Sequence, residues 1–180
     1  HRLLSGLDAA VPLGFYECPH PYKRLLTMDE LAYCAGTGRF LFLKDTCCDG
    51  ALIARRLEAL RGSPLKLYNA NSATLLESLK AGAAGFSGVM ANFHPELYVW
   101  LVRNWRKEPE KAELLQALLT TCSLIERQRY PVNAKVHLQA QGLPIGPFCR
   151  SLGDGRLSPL LRSEVAHMDK LAQWVKSMLI

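Results

Sequence analysis

An α/β fold built on a parallel sheet is predicted by three features of this sequence. Four short apolar stretches begin at residues 11, 39, 65 and 85, and an amphipathic stretch follows each one. Helix start and stop signals bracket most of those amphipathic stretches. One strand candidate, Phe40-Leu41-Phe42-Leu43, is apolar without interruption, as parallel strands covered on both faces are. Strand followed by helix, four times over, implies right-handed crossovers and parallel pairing.

The elements follow in order. Val11–Tyr16 is predicted as the first strand. Thr27-Met28-Asp29-Glu30 forms a capping box, so a helix starts there and runs to Gly36 or Gly38. Arg39–Lys44 is the second strand. Asp49 can cap a helix carrying Leu52, Ile53, Leu57 and Leu60 and stopped by Gly62. Leu65–Tyr68 is the third strand, and Ser72 is the expected cap of a helix from Ala73 to Lys80. Gly85–Met90 is the fourth strand. Pro95 suits the first turn of a helix reaching about Lys107. The remainder reads as helical. Pro109 opens a helix with Leu114, Leu115, Leu118, Leu119, Cys122 and Ile125. Val132–Gln141 is a short helix, and Gly153–Gly155 a loop. Ser158-Pro159 starts a last helix with an apolar stripe of Leu161, Val165, Met168, Ala172 and Val175. Two domains are expected, residues 1–107 and 108–180.

Composition excludes several classes. With 49% hydrophobic residues, the 180-residue chain is too apolar to stay unfolded. No apolar run approaches the roughly 20 residues of a membrane span, and no membrane partner is expected. The net charge of +6 could suit nucleic acid. The basic residues, however, sit on two helices, Arg55, Arg56 and Arg61 on one and Arg103, Arg106 and Lys107 on the other. Both read as solvated faces, and no nucleic-acid partner is expected. The six cysteines include no Cys-x-x-C pair and no histidine at zinc spacing, so no metal is expected. They read as free thiols of a cytoplasmic protein.

Two polar residues end predicted strands, where parallel α/β folds place their chemistry. Tyr16 ends the first and Lys44 the second. Lys44 follows four apolar residues, and an apolar wall disfavours an ammonium relative to a neutral amine. A neutral amine condenses with a carbonyl to form a Schiff base, whose iminium stabilises an adjacent carbanion. Tyr16 is placed to move protons to and from the substrate oxygen.

The ordered motifs resemble the dihydrodipicolinate synthase / N-acetylneuraminate lyase family. Gly14-Phe15-Tyr16-Glu17-Cys18-Pro19 resembles that family's Tyr-x-x-Pro strand end, and Phe42-Leu43-Lys44-Asp45-Thr46 its Schiff-base lysine strand. The step of 28 residues from Tyr16 to Lys44 is the family's usual one. Leu67-Tyr68-Asn69-Ala70-Asn71 resembles its seventh strand. The stretch from Gly82 to Phe93 resembles the eighth, and Pro131–Lys135 with Gly142-Leu143-Pro144 the C-terminal helical extension.

The resemblance implies a (β/α)8 TIM barrel, of which this chain would supply strands 5–8, their helices and the extension. It implies a lyase, a class I aldolase acting on pyruvate or another 2-oxo acid and an aldehyde. Lys44 would form the Schiff base and Tyr16 relay protons, with no dissociable cofactor. Asn69, Asn71, Ser87 and Gly88 would line the substrate pocket. A homo-oligomer, dimer or tetramer, is implied as well. Two departures bear on substrate. Pro21 stands where dihydrodipicolinate synthases carry the arginine for the aldehyde's carboxylate, with Lys23 and Arg24 nearby. Glu17 stands where the family usually has Asn. Dehydration of a sugar acid and a non-catalytic half-barrel scaffold are the alternative readings. The length, and the His at position 1, predict a piece of a longer chain that is inactive alone.

Overall fold

The apolar stretches form strands, each bounded by the turn residues that flank it. In the computed structural model, which describes residues 2–153 and 155–180, β1 spans Leu13–Tyr16, β2 Phe40–Asp45, β3 Lys66–Asn69 and β4 Gly85–Phe86. The strands pair in parallel in the order β1-β2-β3-β4. Tyr16 pairs with Lys44, Lys44 with Tyr68, and Tyr68 with Gly85.

The helices begin largely where the capping signals predict. A short helix, α1 (Arg2–Ser5), precedes the sheet and has no counterpart among the expected elements. Thr27 and Glu30 close both arms of the capping box on α2 (Met28–Gly36). The Asp49 carboxylate accepts from the amides of Ala51 and Leu52 and caps α3 (Gly50–Ala59). The next cap differs from expectation. Asn71, one residue before Ser72, accepts from the Thr74 amide and caps a 3-10 turn over Ser72–Thr74. The helix α4 (Leu75–Lys80) then continues from that turn.

The fourth strand is also shorter than expected. Only Gly85 and Phe86 join the ladder, and Val89–Asn92 forms a 3-10 turn. Gly88 explains the break. A Cβ there would come within 2.4 Å of the Ala70 carbonyl oxygen and 2.2 Å of the Phe86 ring. The chain must pass too close to its neighbours for an L side chain, and it leaves the sheet.

Among the described residues the helices cover one face of the sheet. Leu31 and Cys34 of α2 and Ile53 of α3 bury Phe40, Leu43 and Leu67. Leu41 and Phe42 are exposed, so the doubly covered strand expected from the continuous apolar run is covered on one side. A register shift against β1 lets Phe40 and Leu43 both enter the core while Leu41 and Phe42, between them, stay outside it.

The chain forms two compact units, dividing between Gly88 and Val89. The second unit contains α5 (Pro95–Asn104), α6 (Pro109–Cys122), α7 (Val132–Ala140) and α8 (Pro159–Leu179). α5 packs against α6 and α8. The Trp100 indole N–H donates to the Leu179 carbonyl at 3.2 Å and Lys176 pairs with Glu96 at 2.9 Å, which ties α5 to the helical unit. Ser158 caps α8, and Val165, Met168 and Ala172 of its apolar stripe are buried. The loop expected at Gly153–Gly155 includes Asp154, which lies outside the described residues. No helix among the described residues is long and apolar enough to cross a membrane.

Candidate active site

The pairing register decides which side chains meet. Partners in a parallel ladder share a face, so Tyr16, Lys44 and Tyr68 form one row on the face that the helices leave open. The Lys44 Nζ lies 4.4 Å from the centre of the Tyr16 ring, over its face. Tyr16 is 56% exposed and Lys44 half-buried. The Phe42 ring packs at 4.9 Å from that of Tyr68 on the same face, forming an aromatic floor next to the amine. These residues stand at or near strand C-terminal ends, where an incoming carbonyl compound can reach the amine.

A cavity of about 410 Å³ opens at the end of β1, lined by Tyr16, Cys18, His20, Tyr22 and Arg24 among others. Pro21 lies in it, and Arg24 contributes the guanidinium. That guanidinium is paired with Glu30 of α2. The Cys18 thiol is held below its ordinary pKa by backbone hydrogen bonding at His20, then by Tyr16 and by the positive charge of Lys44. The Cys47 thiol is pushed up to about 12, first by burial and then by Asp45, which leaves it a poor nucleophile at neutral pH.

The four residues expected around the substrate separate. Asn69 pairs with Asp45, one step out of phase with Lys44, and is fully buried on the opposite, helix-covered face. Its amide donates to Thr74 Oγ1 at 2.9 Å and Ser78 Oγ at 3.1 Å, and its carbonyl oxygen accepts from the Asn71 amide at 2.8 Å. Asn69 thus secures the β3–α4 connection and does not face Lys44. Asn71 is half-buried and caps the following turn. Ser87 is half-buried, and its amide donates to the Asn69 carbonyl at 2.8 Å. The close approach that Gly88 permits is to the chain's own Ala70 and Phe86.

Three residues that sequence reasoning missed lie behind the site. Arg56, read as part of a solvated face, is fully buried. Its guanidinium holds both Glu17 oxygens, each at 2.9 Å, as well as the Asp45 carboxylate and, at 2.8 Å, the Leu26 carbonyl. Burial works against its charge, but the bonds to Glu17 and Asp45 outweigh burial and raise its pKa. Backbone amides complete the acids: Leu26 and Thr46 donate to Glu17, and Cys47 to Asp45. A signal was available. Arg56 stands three residues after Ile53 and four before Leu60, on the apolar stripe of α3.

Comparisons with known proteins identify the family. The model of the dihydrodipicolinate synthetase family matches residues 11–177. A search of curated proteins gives no match. Among solved structures, a Thermus thermophilus protein provisionally assigned as a dihydrodipicolinate synthase is 25% identical, with a TM-score of 0.81 over 96% of this chain and 60% of that one. A dihydrodipicolinate synthase from Bacillus anthracis is 18% identical, with a TM-score of 0.79 over 89% of this chain and 55% of that one. A sialic acid aldolase from Ruminococcus gnavus is 17% identical, with a TM-score of 0.79 over 94% of this chain and 57% of that one. This chain therefore spans little more than half the length of these structures. With the α/β fold, the four parallel strands and a family match over nearly its whole length, the chain belongs to the dihydrodipicolinate synthetase family.

Proposed function

We propose that the complete protein is a class I aldolase or lyase that forms a Schiff base between Lys44 and pyruvate or another 2-oxo acid. In this reading β1–β4 are strands 5–8 of a (β/α)8 barrel. The observation that carries it is the placement of the Lys44 amine over the Tyr16 ring, on paired strand ends of a chain from this family.

The chemistry follows from the two side chains. The neutral Lys44 amine adds to the C2 carbonyl of the 2-oxo acid, and loss of water gives an iminium. The iminium withdraws electrons from C3, where a proton leaves to give an enamine. The enamine carbon attacks the aldehyde carbonyl, and water then releases the product from Lys44. Tyr16 is adjacent to the amine and exchanges protons with the departing hydroxyl and the aldehyde oxygen. The lysine is its own electron sink, so the reaction needs no dissociable cofactor. With Pro21 in place of the usual arginine, the aldehyde site differs from that of dihydrodipicolinate synthases. The protein would act in the cytoplasm as a homo-oligomer, dimer or tetramer. Its six free cysteines suit a reducing compartment.

The test is reduction of the complete protein with borohydride in the presence of pyruvate. A mass increase mapped to Lys44, and absent from Lys44→Met, is expected. A wild-type protein that gains no mass on Lys44 overturns the reading and favours a scaffold. Analysis of products with aldehydes and sugar acids separates aldol cleavage from dehydration.

A further inference from the structure

We propose that Arg56 is a positioning residue for Tyr16 and Lys44, clamping from α3 the two acids that directly follow them in the chain, Glu17 and Asp45. The proposal rests on the Schiff-base reading above and adds to it the part that sets the amine's place.

Glu17 is one residue beyond Tyr16, and Asp45 one beyond Lys44. Alternation sends each acid to the face opposite its reactive neighbour. A single planar guanidinium then reaches both acids at once. It is bidentate to Glu17, and its Nη1 atom is shared with Asp45. Only arginine offers that many donors in one rigid fork. The grip falls where the ladder runs out. Beyond the Tyr16–Lys44 pair the two strands share one backbone bond, from the Glu17 amide to the Lys44 carbonyl at 3.3 Å. The Thr46 hydroxyl adds a bond to the Glu17 carbonyl at 2.6 Å. β1 is also an edge of the described sheet, held on one side only. The clamp adds a side-chain grip to those two bonds in fixing the end of β1 against Lys44.

Asp45 is fully buried, and Glu17, at the base of the cavity beside Tyr16, is 4% exposed with both carboxylate oxygens held by Arg56. Their action would be through backbone position. Rates of this kind of chemistry are sensitive to displacement, and an error of 1 Å can cost about a hundredfold.

The experiment compares the complete wild-type protein with Arg56→Lys, which keeps the charge and loses the fork. A third chain, Glu17→Gln/Asp45→Asn/Arg56→Met, removes all three charges together and leaves no buried charge unpaired. Adduct formation on Lys44 is followed with pyruvate and borohydride across pH, with kcat and KM measured separately. The expected result is a folded Arg56→Lys protein whose trapping rate and kcat fall about a hundredfold, with KM for pyruvate within about threefold because uniform binding is untouched. The neutral chain is expected to fall as far. A second readout does not depend on turnover. After reductive methylation with ¹³C, the Lys44 methyl signals should be shifted upfield by the Tyr16 ring, and they should return toward the free-lysine position in Arg56→Lys.

Trapping within threefold of wild type in either variant overturns the proposal, as do Lys44 signals that do not move. An Arg56→Lys chain that cannot fold assigns Arg56 to folding instead and also overturns it. If the wild type forms no adduct, the Schiff-base reading fails, and the methyl signals still decide whether Arg56 places the amine.

Discussion

Two buried polar clusters, one in each unit, meet the cost of burial in opposite ways. In the sheet unit, Arg56 keeps its charge and is surrounded by acceptors. In the helical unit, His94 is 2% exposed and stacks against Tyr98 at 5.7 Å. Neither of its ring nitrogens has a hydrogen-bond partner among the described residues. Desolvation lowers its pKa to about 4, with Glu96, His137 and Asp169 making smaller contributions. One cluster is stabilised by pairing a charge, and the other by not forming one. The first should be sensitive to loss of a partner and the second to acid.

The largest effect is expected at Arg56. Arg56→Met leaves two buried acids without their counter-ion and should destabilise the complete protein by about 3–5 kcal/mol, read from denaturant unfolding. A loss below about 1 kcal/mol would break the comparison, because it would mean that the pairing hardly offsets its own desolvation.

The acid response of His94 comes next. The folded state holds the ring neutral, while the unfolded chain takes up a proton near the ordinary pKa of about 6.5. Stability should be unaffected above that pH and fall as pH drops toward about 4. It should level off below that, after a total loss of about 3 kcal/mol. Acids such as Glu96, whose carboxyl is held below its usual range, also respond in this region. The informative quantity is therefore the difference between wild type and His94→Phe, which should grow between those two pH values. A constant difference would show that the ring is charged or solvated in the folded protein.

The smallest effect is expected at Asn69, a neutral intermediate between the two cases. Asn69→Ala removes donors to Thr74 and Ser78 and the acceptor of the Asn71 amide. It should cost about 1–3 kcal/mol. Because the side chain is turned away from Lys44, the rate of borohydride trapping should stay within about threefold. A greater loss of trapping than of stability would return Asn69 to the substrate side.

Local signals in the sequence were legible wherever the interaction they predict is also local. The Thr27–Glu30 box, the Asp49 cap and the Ser158-Pro159 start are contacts within one helical turn, and all three formed. Tyr16 and Lys44 were found because Tyr16 ends β1 and Lys44 stands one residue before the end of β2, and their register brought them together. Contacts between distant parts of the chain were not legible in this way. Arg56 and Glu17 are 39 residues apart, and charge patterning along a helix cannot show a partner on another strand. The shift of one residue in β3, from the expected Leu65–Tyr68 to Lys66–Asn69, is small in length. Asn69 still lies on the helix side, because faces alternate at every residue. Gly88 was marked as a place of close approach, but the approaching atoms belong to the chain's own Ala70 and Phe86.

The pairing of β1 with β2 skips one residue. Leu13 is opposite Phe40 and Gly14 opposite Phe42, so Leu41 has no counterpart. Phe40 and Leu43 both reach the helix-packed core although they stand three positions apart, an odd interval that strict alternation forbids. Leu41 thus acts as a phase shifter. It lets the strand enter with an aromatic ring inward and leave with an amine outward. What matters there is the number of residues more than their kind. The side chain of Leu41 stands outside the helix-packed core, whereas losing the position would exchange the faces of Lys44 and Asp45 or pull Phe40 from the core. In this part of the molecule, chain length is under stricter constraint than composition.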